Sequence, residues 1–98
     1  MADIRFEWDE TKSKVNARKH GVSFEEAATA FADEWALLIP SREHSSKEER
    51  FILLGVSAAL RMLVVCHCYR ESSELIRIIS ARKATHSERS TYEQRRKQ

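Results

Sequence analysis

Glycine is nearly missing from this 98-residue chain; it occurs only at positions 21 and 55. A phosphate cradle made of successive backbone amides needs a glycine-rich turn, so the P-loop and dinucleotide-binding loops are excluded. Proline occurs once, at Pro40, and cysteine twice, at Cys66 and Cys68. Two residues apart in an apolar run, these cysteines point to one face of a strand. They are poorly placed to bond each other and read as small core residues. No run approaches the roughly 18 apolar residues of a membrane span. The N-terminus lacks the basic start and apolar stretch of a secretory signal. The expectation is a cytoplasmic chain with no membrane partner. H-E-x-x-H, paired C-x-x-C and G-x-S-x-G are absent as well, so the sequence points to no metal and no cofactor. Any chemistry has to come from polar side chains that the fold gathers.

What is present is 42% hydrophobic and 33% charged, enough for one core under a strongly solvated surface. A chain of this length holds a single domain over residues 1–98. The net charge of +2 conceals an asymmetry. Residues 1–49 carry seven basic and eleven acidic side chains, a net −4, whereas residues 50–98 carry ten and four, a net +6. A basic half suits a polyanion such as nucleic acid, and equally a terminal helix with ordinary surface arginines.

The apolar pattern predicts an α+β domain. Phe6 and Trp8 alternate with charged residues in a short strand over Ile4–Trp8. Asp9 caps a helix that Gly21 ends after His20. Ser23 and Glu26 have capping-box spacing before Phe24, Ala27, Ala28 and Phe31, the apolar stripe of a second helix ending near Asp33. Ala36–Ile39 reads as a strand closed by Pro40. Ser41–Glu49, with His44, reads as a polar loop. Period-two patterning then predicts an antiparallel meander of three strands, Phe51–Val56, Arg61–Tyr69 and Leu75–Ala81, with turns at Ser57–Leu60 and Glu71–Glu74. Thr85 and Glu88 form a capping box opening a C-terminal helix, with Tyr92 as its apolar anchor. An antiparallel sheet with two N-terminal helices and one C-terminal helix follows.

Two groups of residues carry possible chemistry. Lys12, Asn16, Lys19 and His20 fall on one face of the first helix, where two cations, an amide and a titratable imidazole suit a phosphodiester. The same lysine and histidine also complement the negative end of the helix. Arg77 sits between apolar neighbours in the last strand, with alternation placing it beside Leu75, Ile79 and Ala81. Arg82 and Lys83 stand at the strand's end, beside a helix N-terminus. Guanidinium groups bind phosphate bidentately and remain charged. An internal ion pair of Arg77 with Glu49 or Glu7 is the competing reading. His67 and Tyr69 read as packing residues, Trp8 and Trp35 as core or interface residues. Trp35, Leu37 and Leu38 flank an edge-like strand open to another chain.

The run Phe6-Glu7-Trp8-Asp9, Lys12, Asn16, then Lys19-His20-Gly21-Val22-Ser23-Phe24-Glu25-Glu26-Ala27 resembles the BrnT toxin family. So do Glu49-Arg50-Phe51 with Gly55, and Ile76-Arg77-Ile78-Ile79-Ser80-Ala81-Arg82-Lys83-Ala84 with Glu88-Arg89 and Tyr92-Glu93. The resemblance implies a RelE-like fold and the toxin of a type II toxin–antitoxin pair that cleaves RNA and arrests translation. It implies a BrnA-like ribbon-helix-helix antitoxin, two toxins on an antitoxin dimer, and operator DNA bound through that antitoxin. For a metal-independent endoribonuclease the candidate catalytic residues are Arg82, Arg77, His20, Lys19 and Glu49, with Lys12, Asn16 and Lys83 contacting RNA. The lysine-rich active-site helix of RelE is absent, so its catalytic roles do not transfer. The alternative is a non-catalytic basic module that binds nucleic acid or protein.

Overall fold

The computed structural model describes residues 3–41 and 49–97. The polar segment expected over Ser41–Glu49, with His44, lies outside them except at its two ends. Strand β1 (Arg5–Glu7) leads into helix α1 (Glu10–His20). Asp9 starts the helix by accepting a hydrogen bond from the Lys12 amide at 3.0 Å. Gly21 ends it at φ +72°, the left-handed conformation that lets its own amide reach the Ala17 carbonyl at 2.8 Å.

Helix α2 (Phe24–Thr29) continues into one 3₁₀ turn, Ala30–Ala32. Ser23 caps α2 through the Glu26 amide. The expected reciprocal bond from the Glu26 carboxylate is replaced. Glu26 instead accepts from Arg61 and from the Ser57 hydroxyl, because Arg61 offers it a charged partner. Its carboxyl lies below the usual range, chiefly through the Arg61 hydrogen bond.

Strands β2 (Leu37–Pro40), β3 (Phe51–Val56), β4 (Met62–Arg70) and β5 (Ser72–Lys83) precede helix α3 (His86–Arg96). They form one five-stranded sheet in the order β1-β5-β4-β3-β2. The expected meander β3-β4-β5 is present, and β2 extends it antiparallel to β3. Two details differ from the sequence reading. The sheet is mixed, since β1 pairs parallel with β5 through Arg5 and Leu75, Phe6 and Ile76, and Glu7 and Arg77. The turn expected over Glu71–Glu74 is tighter, because Glu71 takes φ +60° and β5 begins at Ser72.

Both faces of the sheet are used. On one, α1 and α2 cover Leu53, Leu63, Val65, Ile78 and Ala81, with Val22, Phe24, Ala27 and Ala30 from the helical side. On the other, α3 lays Tyr92 on Leu54, Met62 and Val64. Tyr92 is the anchor its sequence suggested, and its hydroxyl donates to Asp33 Oδ2 at 2.7 Å. Asp33 also accepts from the Val56 and Trp35 amides, which ties α3, β3 and the end of α2 together. Among the described residues no helix is long and apolar enough to cross a membrane.

Candidate active site

A bulge in β5 decides which side chains meet. Cys66 pairs with Ser80, but the next residue, His67, pairs with Ile78, so Ile79 is extra. Without it, Arg77 and Arg82, five residues apart, would point to opposite faces. With it, Ile76, Ile78 and Ala81 are all buried, at 3%, 2% and 1% exposure. Arg77, Ser80 and Arg82 turn the other way, opposite Cys68, Cys66 and Val64. The alternation expected from sequence, with Arg77 beside Ala81, is corrected by this one residue.

Parallel pairing with β1 reaches only Leu75–Arg77, and α1 closes the edge of β5 beyond it. Asn16 pairs with that edge as another strand would. Its Nδ2 donates to the Ala81 and Val22 carbonyls at 2.8 Å each, and its Oδ1 accepts from the Ala81 amide at 3.2 Å. This brings the last residue of α1, His20, around the edge to the α3 face of the sheet.

An open cavity of about 640 Å³ lies there. Ile52, Val64 and Cys66 line it from the sheet, Ile39, Pro40 and Ser41 from β2 and its end, and His20, Ser80, Ala81 and Arg82 from the remaining sides. It combines an apolar lining with a cation, an imidazole and two hydroxyls. Neither cysteine is in a disulfide; Cys66 is half-buried and Cys68 buried.

The Arg82 guanidinium is held end-on by Glu88 at the start of α3. Nη1 donates to Oε1 at 2.8 Å, Nη2 to Oε2 at 2.9 Å, and Nη1 also reaches the Lys83 carbonyl at 3.3 Å. The hydrogen bonds from Arg82 draw the Glu88 carboxyl down to about 2, and the same pair raises the Arg82 pKa. Arg77 donates to Glu7 Oε2 at 3.0 Å, one of the two internal partners considered for it.

The other candidates scatter. Lys19 is exposed on the last turn of α1, and Lys12 is exposed on its first. Lys83 pairs with Leu63, so it points to the helix-covered face and adds to the field on Glu26. Glu49 lines a separate depression with Arg50 and Phe51, sharing only Pro40 and Ser41 with the cavity. His67 packs under the 3₁₀ turn, with the Phe31 ring 4.7 Å away edge-on. Leu37 is half-buried against the Tyr92 cluster, while Trp35 and Leu38 are 40% and 50% exposed. Sequence reasoning missed Ser80, Cys66 and Glu88. Alternation already set Ser80 on the Arg82 face, but neither it nor Cys66 was singled out, and Glu88 was visible only as a cap. Among the described residues no three His, Cys, Asp or Glu side chains cluster as metal ligands.

The architecture is that of a small α+β domain. It matches the crystal structure of the Brucella abortus ribonuclease toxin BrnT with a TM-score of 0.63 and 25% identity, over 85% of this chain and 99% of that one. No curated protein matches in sequence. The model of the BrnT family, described as the ribonuclease toxin of a type II toxin–antitoxin system, matches residues 8–88. The chain belongs to this family, and a type II system implies a protein antitoxin as its partner.

Proposed function

We propose that this chain is a metal-independent endoribonuclease that cuts RNA at the cavity beneath Arg82 and thereby arrests translation. The convergence of Arg82 and His20, 62 residues apart, on one apolar-lined cavity supports the reading most directly. Cleavage within RNA needs no external nucleophile. The 2′-oxygen attacks the adjacent phosphorus, the bond to the 5′-oxygen breaks, and a 2′,3′-cyclic phosphate and a 5′-hydroxyl result. In this reading His20 takes the 2′-hydroxyl proton and, through water, returns a proton to the departing 5′-oxygen. Arg82 meets the charge that grows on the phosphorane. Arg77, further along the same face, and Lys19, exposed on the last turn of α1, draw in flanking phosphates. A base lies against Ile52 and Val64, within reach of Ser80. Glu49 has no part in this scheme, Asn16 serves the fold, and Lys83 faces away.

The partner in this reading is a BrnA-like ribbon-helix-helix antitoxin, two toxins sitting on its dimer in the cytoplasm, with operator DNA held through the antitoxin. Incubating the purified protein with RNA in EDTA tests the chemistry. Arg82→Ala should cut on the order of 10²–10³-fold more slowly while keeping its circular dichroism spectrum. One observation favours the rival, a binding module: both arginines already have carboxylate partners. Salt-sensitive RNA retention without any cleavage would decide for it.

A further inference from the structure

Glu88 does two jobs with one carboxylate. It completes the capping box of α3 by accepting from the Thr85 amide at 2.7 Å, and it grips both Nη atoms of Arg82. A guanidinium has five N–H donors in a fixed plane. The end-on grip takes one proton from each Nη, and the Lys83 carbonyl takes the second on Nη1. What is left is the Nε proton and the outer Nη2 proton. These two lie side by side on one edge and match two oxygens of a phosphate. Among the described residues nothing else binds them.

We propose that Glu88 is a positioning residue for the cleavage reaction, fixing Arg82 so that its Nε–Nη2 edge is presented to a phosphate in the cavity. This rests on the reading of Arg82 given above. The grip has a cost that makes the idea testable. A carboxylate this close to the site repels RNA phosphates, so it weakens ground-state binding while keeping Arg82 aligned for the transition state. Glu88 remains ionised at every pH where RNA cleavage is assayed, because its carboxyl is held near 2. It therefore has no proton to give to a leaving group.

Glu88→Gln retains an oxygen for the Thr85 amide but loses the charge and one of the two acceptors for Arg82. The expected result is a kcat lower by about tenfold to a hundredfold, as for a catalytic group misplaced by an ångström. The KM for RNA should be unchanged or lower, since a repelling charge is gone. Thr85→Ala, which weakens the cap and leaves the Arg82 pair, should lower the melting temperature with kcat intact. Glu88→Asp, which draws the carboxylate back by one methylene, should lose kcat as Glu88→Gln does, and it serves if the glutamine variant fails to fold. An unchanged kcat in both Glu88 variants overturns the proposal. So does a rise in KM alone, or an equal kcat loss in Thr85→Ala, which would leave Glu88 as a cap only. If Arg82→Ala itself cleaves normally, the reading of the site has failed. If Arg82→Ala is inactive and Glu88→Gln normal, only the role of Glu88 has failed.

Discussion

Replacing Asn16 by alanine separates two roles that its position on α1 allows. The side chain is 7% exposed and makes three hydrogen bonds, two to Ala81 and one to Val22. Both partners are buried, Ala81 at 1% and Val22 at 0% exposure. Asn16→Ala leaves one amide and two carbonyls with lost partners and no neighbouring strand to replace them. The unpaired buried amide costs about 1–3 kcal/mol, and the two carbonyls a few tenths each, since a carbonyl more often tolerates it. A total of about 3 kcal/mol is expected, which for a domain of this size lowers Tm by roughly 12–24 °C. Urea unfolding at 15 °C measures the loss directly, with the slope against denaturant unchanged if the folded and unfolded states keep their compactness. RNA cleavage per folded molecule, assayed below the new Tm, should stay within a few-fold of the parent. A Tm change under about 4 °C, less than 1 kcal/mol, together with lost cleavage would refute the bridge and restore Asn16 as an RNA contact.

Three other outcomes follow from the packing. His67 is fully buried, its Nδ1 lies 3.1 Å from the Val65 carbonyl, and its Nε2 has no hydrogen-bond partner among the described residues. Burial holds its pKa below 6.5, so the unfolded chain takes up the proton first and stability falls as pH drops from about 6.5 through the lower folded value; a His67→Phe variant should show a flatter dependence of Tm on pH over that range. Tyr92→Phe removes a hydrogen bond to a carboxylate and should destabilise by about 1.5–3 kcal/mol in urea. At high pH the Tyr92 phenol, pushed up to about 12 by burial and the Asp33 charge, keeps its proton after the unfolded chain has lost it near 10, so the parent should lose stability between these values and Tyr92→Phe less so. A Cβ added at Gly55 would stand 3.0 Å from the Ala30 carbonyl oxygen and 3.1 Å from the Ala36 Cβ, so Gly55→Ala should separate β3 from the 3₁₀ turn and lower Tm; an unaltered Tm would show that this approach relaxes freely.

Much of the fold was legible because its punctuation is local. Asp9, Gly21, Ser23 and Thr85 act within one helical turn, and each stands where its chemistry placed it. β3 was readable to the residue, since its apolar run is bounded by Arg50 and Ser57. The pairing of β1 with β5 was not, because Glu7 and Arg77 lie 70 residues apart and their opposite charges, the one hint, left Glu49 an equal candidate. The site was half legible. His20 and Arg82 were chosen by residue type, and the fold brings them to one cavity. That Arg77 shares the face of Ser80 and Arg82 was hidden because Ile78 and Ile79 are alike in polarity, so the residue where the pattern slips leaves no mark. The hydrogen bonds of Asn16 to Val22 and Ala81 were not legible for a related reason: a helix face shows what it carries but not whether it points to solvent or to a strand edge.

Ile79 makes β5 a strand whose parity differs at its two ends. Counted from β1, even positions look inward as far as Ile78; counted from α3, odd ones do, from Ala81. Deleting one residue there would leave the composition nearly unchanged and keep every strand long enough to pair. It would nevertheless force either Arg77 or Arg82 into the core. Related chains should therefore tolerate substitution at this position far better than a change in length.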